Sequence, residues 1–288
     1  MARIAIVGVG AIGGALAGLL HTAGQHEITL CTRRPIEVLP VHTPDGDVLV
    51  KARNVTNPAQ AEAVDWVIVA TKTYDAAGAA AWFPALCASG AKVAVTQNGV
   101  EHRERFAPWL SADRLLPVVI DCPTERRPDG SVNVRGATLM KVQDLPPGRE
   151  FVALFAGTTA KLVLVDDFTT AAWWKLCINS VGALNAIALK PAGILRDEAM
   201  GRVALQMVAE CVAVGRAEGA TLDDNLPQQV IDMYRAQPAD SVNSLLADCL
   251  AGRQMEIDAR NGAIVRKGEK HGIATPLNHM AVALLHAV

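Results

Sequence analysis

Arg3-Ile4-Ala5-Ile6-Val7-Gly8-Val9-Gly10-Ala11-Ile12-Gly13-Gly14 reads as a short apolar strand, a turn with glycines spaced GxGxxG, and the first turn of an apolar helix. Gly8 permits a tight turn, Gly10 lets the backbone approach a pyrophosphate, and Gly13 lets the helix pack closely on the strand. The helix N-terminus presents unpaired N–H groups that attract phosphate. Gly8, Val9, Gly10, Ala11, Ile12 and Gly13 are therefore the expected cofactor-binding turn. A glycine-rich turn without a ligand is the alternative that the pattern alone leaves open. Residues 4–20 carry no polar side chain, a length just under that of a membrane span. The glycine spacing makes them a strand, a turn and a helix instead.

Outward from this unit the chain alternates β-branched runs with helical patterns, which implies successive βαβ units and a parallel sheet. Strands are expected at Arg3–Val7, Glu27–Cys31, 66–71, 92–97 and 115–120, and helices at Ala11–Ala23, 74–88 and 101–110. From 123 to 165 shorter runs alternate with turn signals, Pro-Asp-Gly at 128–130 and Pro-Pro-Gly at 146–148, and read as antiparallel additions to the sheet. After Asp166 the strand pattern stops. Helices are expected at 169–189, 197–218, from Pro227, at 241–251, at 253–271 with a Gly272 stop, and after Pro276. The expected fold is α/β, an N-terminal Rossmann-type parallel-sheet domain over 1–166 followed by an all-helical C-terminal domain over 167–288.

Composition agrees with a buried α/β core, since 51% of the 288 residues are hydrophobic and 19% charged. The formal charge of -2 supplies no field for nucleic acid or an anionic membrane, so neither is expected as a partner. Six scattered cysteines form no CxxC pair and no Cys/His cluster, so no metal is expected and a reducing cytoplasm is the natural setting. A homodimer through an apolar helix face is possible from periodicity, which does not separate such a face from core.

The end of the second strand bears on cofactor choice. An NAD site usually places Asp or Glu there to accept from the ribose 2'-hydroxyl. Here Cys31-Thr32-Arg33-Arg34 has no carboxylate before Glu37, and Arg33, with or without Arg34, suits a 2'-phosphate. Two solvated arginines are the plainer reading. Lys72 and Asn98 follow expected strands at the edge where open parallel sheets bind ligands, and each taken singly is equally ordinary loop polarity. In Trp173-Trp174-Lys175-Leu176-Cys177-Ile178-Asn179, Lys175 and Asn179 lie four apart on one face of an apolar helix. An ammonium in such surroundings is a good proton donor near neutral pH. A snorkelling lysine over plain core has the same spacing. Ser244, suited to a substrate carboxylate or hydroxyl, and Glu256, facing either solvent or a cleft, complete the candidates.

Taken jointly, GAIGG at 10–14, Lys72, Gln97-Asn98-Gly99, Trp174-Lys175-Leu176 with Asn179, Asn243-Ser244-Leu245 with Asp248, Gly252-Arg253-Gln254-Met255-Glu256-Ile257-Asp258 with Asn261-Gly262, and His271-Gly272 resemble the ketopantoate reductase family in order and spacing. The resemblance covers nearly the whole chain. It implies NADPH-dependent reduction of a 2-keto acid, 2-dehydropantoate in the best-known members, on the route to pantothenate. It further implies Lys175 as proton donor, Glu256 fixing Lys175 or the cofactor ribose, Asn98 positioning cofactor and substrate, and Asn179 and Ser244 binding the substrate. The departures are Ala183, where a second Asn is usual and the next is Asn185, Asn243 in place of the first of a Ser-Ser pair, and Met255 where Thr is common. They leave open a different 2-keto acid or an imine. A non-catalytic NADP-binding sensor is the reading from another class.

Overall fold

After their first residues, β1 (Arg3–Val7), β6 (Trp66–Val69) and β7 (Lys92–Val95) are runs of Val, Ile and Ala, and β2 (Glu27–Cys31) buries Ile28, Leu30 and Cys31, because both faces of their sheet are covered. A computed structural model describes residues 1–287 and divides the chain into two units. The first takes in Met1–Gln97 and His102–Asp166; the second takes in Asn98–Glu101 and the chain from Asp167. Asn98–Glu101 thus counts with the helices, although it lies inside the range 1–166 read as the sheet domain.

With β3 (Leu39–Thr43), β4 (Gly46–Val50), β5 (Arg53–Val55) and β8 (Leu115–Pro117), the first unit holds a six-stranded parallel sheet in the order β5-β2-β1-β6-β7-β8. The order reverses direction at β1, so the carboxyl ends of β1, β2 and β6 flank a switch point where such sheets receive ligands. Alternate residues of each strand serve the two faces: Ile4, Ile6 and Ile68 pack with Leu16 and Leu20 of α1 (Ala11–Ala23), while Val7, Val67 and Val69 pack with Leu86 and Phe106.

Three expectations along this sheet are corrected. The run 74–88 is not one helix but α2 (Ala76–Ala80) and α3 (Phe83–Leu86), because Pro84 has no N–H to give within a continuous helix and is tolerated only in the first turn of a new one. The helix expected over 101–110 shrinks to α4 (His102–Phe106), stopped ahead of Pro108. The run 115–120 splits after Pro117, whose missing N–H suits an edge strand, into β8 and β9 (Val119–Asp121).

The segment 123–165 adds nothing to the main sheet. β10 (Thr124–Arg126) and β11 (Val132–Val134) join β3 and β4 in a sheet of order β10-β11-β3-β4, and β12 (Leu139–Gln143) and β13 (Lys161–Val165) pair with β9 in the order β13-β12-β9. Two of these pairings, β11 with β3 and β12 with β13, are parallel. Pro146 and Pro147 open a helix, α5 (Pro146–Leu154), where a missing N–H costs nothing. Gly14 of α1 admits the four-stranded sheet, since a Cβ there would lie 2.6 Å from Val132 Cγ2.

The second unit is helical: α6 (Phe168–Ala188), α7 (Glu198–Ala217), α8 (Leu226–Ala236), α9 (Ser244–Leu250), α10 (Ala263–His271) and α11 (Pro276–His286). Asp167 and Asp197 cap α6 and α7 by accepting from Thr170 N and Met200 N, and Gly272 ends α10 at φ 66°. The long helix expected over 253–271 is corrected as well. Arg253 to Glu256 is irregular, and a π turn over Asp258–Gly262, in which Gly262 N reaches back to Ile257 O, precedes α10. Such turns cluster at functional sites. No helix among the described residues is long and apolar enough to cross a membrane.

Candidate functional site

In the first unit the candidate groups lie at the carboxyl edge of the parallel sheet. Gly8 has φ 90°, and a Cβ on it would lie 2.6 Å from Thr71 Cγ2; one on Gly13 would lie 2.1 Å from Gly8 O. These two glycines let strand, turn and helix approach one another. Gly10 differs, because a Cβ there would meet nothing within 4 Å. The turn is open at that point, and α1 begins without a side-chain cap or an acidic residue in its first turn, so its leading N–H groups suit an anion. Arg126, from β10, donates through Nη1 to Val9 O and brings a guanidinium to the same turn.

Arg33 and Arg34 are exposed on the loop after β2, whose shape is set by partly buried polar contacts. Asn54 Nδ2 donates to Leu30 O (2.9 Å) and Thr32 Oγ1 (2.8 Å), Asn54 Oδ1 accepts from Ile36 N, and Thr32 Oγ1 donates to Arg34 O. Lys72 follows β6 and is partly buried. Gln97, at the end of β7, donates to Thr71 Oγ1 (3.0 Å) and Lys72 O (3.1 Å), while His102 Nε2 donates to its carbonyl at 2.8 Å. Burial lowers the pKa of His102, which keeps it neutral in that role. Gln97 Oε1 is buried without a donor among the described residues. An open glycine turn, uncapped helix N–H groups, an arginine loop without a carboxylate and an orphaned amide oxygen are together a fit for a phosphate-bearing dinucleotide whose ribose or amide groups donate hydrogen bonds.

The second unit collects side chains. Lys175 and Asn179 share one partly buried face of α6, and Leu176, Cys177, Ser180 and Val181 are buried. Asn179 Nδ2 donates to Asn98 Oδ1 at 3.2 Å, and Asn98 Nδ2 donates to Glu256 Oε2 at 3.1 Å. Asn98 is held there by its own segment. Gly99, at φ 103°, passes so close to the π turn that a Cβ would lie 2.7 Å from Ala259 O, and Glu101 pairs with Arg266 at 2.6 Å. Glu256, which the sequence leaves facing either way, is 4% exposed and turned onto Asn98.

Ser244 is not part of that line. It is exposed, and its Oγ accepts from Arg260 Nη2 at 2.7 Å. Asn243 caps α9 by accepting from Leu245 N and Leu246 N and donates to Asn185 Oδ1, while Asn185 Nδ2 donates to Lys190 O. Asn185 therefore closes the end of α6 and does not replace the amide missing at the fully buried Ala183. Sequence reasoning missed Arg126 and Arg260. Arg126 lies between Glu125 and Arg127 ahead of the Pro-Asp-Gly turn, and Arg260 lies between Asp258 and Asn261 of the quoted motif, and neither neighbourhood singles the arginine out, because the role of each depends on contacts with residues distant in sequence. Burial pushes the Cys31 thiol up to about 12, and no metal-binding cluster of His, Cys, Asp or Glu occurs among the described residues.

Comparison with known proteins agrees with this geometry. The family description ketopantoate reductase PanE/ApbA matches residues 4–147, and its C-terminal counterpart matches residues 167–288. The chain is 51% identical over 287 residues to 2-dehydropantoate 2-reductase of Caulobacter vibrioides, covering 100% of this chain and 99% of that one. It is 38% identical to the Mycobacterium tuberculosis protein of the same name, covering 99% and 97%. A crystal structure of 2-dehydropantoate 2-reductase from Geobacter metallireducens superposes with a TM-score of 0.91 at 27% identity, covering 99% of each chain. With both parts matched and relatives alike from end to end, the chain belongs to the ketopantoate reductase family, whose members are pyridine-nucleotide-dependent oxidoreductases.

Proposed function

We propose that this enzyme reduces 2-dehydropantoate to pantoate with NADPH, with Lys175 as the proton donor. The observation that carries the reading is the hydrogen-bonded line Asn179, Asn98, Glu256 in the unit that holds Lys175, one turn before Asn179 on α6. Its support is the 51% identity to a relative named for this reaction.

Gly8 to Gly13, Arg33, Lys72 and Asn98 are the residues proposed to hold the dinucleotide, with Arg33 on the 2'-phosphate. When bound, the reduced nicotinamide supplies a hydride to the carbonyl carbon. As the carbon–oxygen π bond breaks, negative charge develops on the substrate oxygen, and the Lys175 ammonium passes a proton to it. The resulting amine recovers its proton from solvent. An ammonium placed for this step favours the transition state over the ground state because the charge it meets exists only there.

Asn98 gives one amide hydrogen to Glu256 and one carbonyl lone pair to Asn179, so its orientation is determined and its second N–H is left for cofactor or substrate. Glu256 acts as the buried carboxylate that fixes Asn98 and serves the Lys175 ammonium or a ribose hydroxyl. Asn179 and Ser244 bind the substrate's polar groups.

Steady-state NADPH oxidation with a panel of 2-keto acids tests the assignment. The expected result is the highest kcat/KM with 2-dehydropantoate. Another acid preferred by more than about tenfold, about 1.4 kcal/mol in transition-state binding, removes the pantoate assignment, and binding of NADPH with no reduction of any acid favours the sensor.

A further inference from the structure

Arg260 lies on the π turn Asp258–Gly262 and is 2% exposed. Its Nε is buried with no hydrogen-bond partner, and among the described residues its side-chain bond is the one from Nη2 to Ser244 Oγ at 2.7 Å. No carboxylate among the described residues forms an ion pair with it. The acids nearest in sequence are engaged elsewhere, Asp248 with Arg253, Glu256 with Asn98 and Asp258 with Arg266. Tyr234 does not neutralise it either: burial pushes the phenol up to about 12 although Arg260 opposes the shift, and its hydroxyl donates to Ile178 O at 3.0 Å. Arginine does not shed its proton in proteins, so this is a permanent buried cation without a counter-ion. Such a charge is strongly unfavourable unless an anion joins it.

Ser244 shows where the anion belongs. A serine hydroxyl has one hydrogen to give and two lone pairs, whereas a guanidinium only donates. Arg260 therefore occupies a lone pair of Ser244 Oγ and leaves the hydroxyl hydrogen for an acceptor outside. The N-terminus of α9 makes no claim on that hydrogen, because it offers only N–H donors, two of which Asn243 Oδ1 accepts. Ser244 itself is exposed.

We propose that Arg260 is the positioning residue for the substrate's carboxylate: it fixes Ser244 with its hydroxyl hydrogen toward the anion and supplies the positive field that selects a 2-keto acid over a neutral ketone. The inference rests on Ser244 being a substrate contact. It concerns recognition of the acid group, where Lys175 serves the carbonyl oxygen.

The experiment compares full-length wild type, Arg260→Met, Arg260→Lys and Ser244→Ala under saturating NADPH, each with 2-dehydropantoate and with its neutral amide. The expected result is a strong preference of the wild type for the acid, and in Arg260→Met a fall in that preference of about thirtyfold, seen mainly in KM. Arg260→Lys restores part of it, and Ser244→Ala loses much of it with Arg260 intact. Equal loss of acid and amide turnover in Arg260→Met, with no rescue by lysine, overturns the inference as a packing effect. Should Arg260→Met not fold, a wild type that prefers the acid by less than about threefold, or a Ser244→Ala protein with unchanged preference, overturns it equally. Failure of the proposed reaction looks different. If another 2-keto acid is the substrate, the same ratio is measured with that acid and its amide. If none is reduced, calorimetry with pantoate decides, since binding to wild type at least tenfold tighter than to Arg260→Met or Ser244→Ala supports the inference, and equal or absent binding overturns it.

Discussion

The sheet unit and the helical unit build their candidate sites from different materials. At the carboxyl edge of the sheet the candidate groups are mostly backbone: N–H groups at the start of α1, exposed by a turn in which a Cβ on Gly8 or Gly13 would strike Thr71 or Gly8 O. In the helical unit they are side chains held by other side chains, as in the line from Asn179 through Asn98 to Glu256. A backbone site is damaged by adding atoms and a side-chain site by removing them.

The largest effect is expected where a side chain carries chemistry. Lys175→Ala should lower kcat by about a thousandfold, within the range for loss of a general acid, while NADPH affinity measured by fluorescence titration stays within about twofold. A Lys175→Ala enzyme that keeps a tenth of wild-type kcat removes the proton-donor role. The sheet unit responds to the opposite kind of change. Gly13→Ala should cost about 3 kcal/mol of stability, read by thermal melting, because its Cβ would fall 2.1 Å from a backbone oxygen that has nowhere to go. Gly10→Ala should melt like wild type, its backbone at φ −82° being open to alanine and its Cβ meeting nothing within 4 Å, yet bind NADPH at least tenfold more weakly. Unchanged affinity in Gly10→Ala would mean that the open space at the turn is not where the pyrophosphate lies.

The same contrast governs what the sequence discloses. A backbone site leaves its trace in local spacing, so β1, the turn and α1 are read from the glycines at their observed limits, as is the Gly272 stop of α10. A side-chain site depends on contacts between distant segments. Lys175 and Asn179 are visible as a pair because one helix turn separates them, but nothing near Asn98 says that it joins α6 and Glu256 rather than the sheet before it. Glu256 is ambiguous in the sequence because the 253–271 periodicity suggests a continuous helix, whereas Arg253 to Glu256 is irregular and turns the carboxylate inward. The β3–β4 hairpin is not legible in the sequence although Pro44-Asp45-Gly46 marks its turn, since its short strands alternate weakly and β3 pairs with β11 some ninety residues on. Arg260 leaves no local trace at all, its meaning being the lack of a counter-ion in three dimensions.

Charge clusters sharpen the comparison at smaller cost. In the helical unit Glu218, at the end of α7, meets Lys267, Lys270 and His271 of α10, with its side chain 15% exposed. Burial alone would raise its pKa, but the hydrogen bonds from Lys270, His271 and Lys267 hold the carboxyl down to about 2. A carboxyl depressed on folding contributes stability that is fully present above about pH 4.5 and is lost as pH falls through about 2. Glu218→Gln should therefore lose on the order of 2 kcal/mol at pH 7 and little at pH 2, measured by urea unfolding at both. In the sheet unit the Arg3–Asp65 pair is half exposed, and Asp65→Asn should change stability far less at either pH.

A smaller effect on binding tests whether the sheet unit also relies on a side chain. Arg33 stands exposed on a loop that Asn54 and Thr32 hold without its help, so Arg33→Ala should leave the loop and the melting temperature as they are. What it removes is a guanidinium suited to two parallel hydrogen bonds with a 2'-phosphate, a group NADH lacks. NADPH affinity should fall by about tenfold, about 1.4 kcal/mol, with NADH affinity unchanged, so that the gap between them narrows from one side only. Equal weakening of both would assign Arg33 to the shared part of the dinucleotide. Equal affinity for NADPH and NADH in the wild type would overturn the NADP assignment outright. Arg33→Ala with Arg34→Ala narrowing the gap further would divide the phosphate between two guanidinium groups, and the sheet unit would then match its backbone cradle with a side-chain clamp.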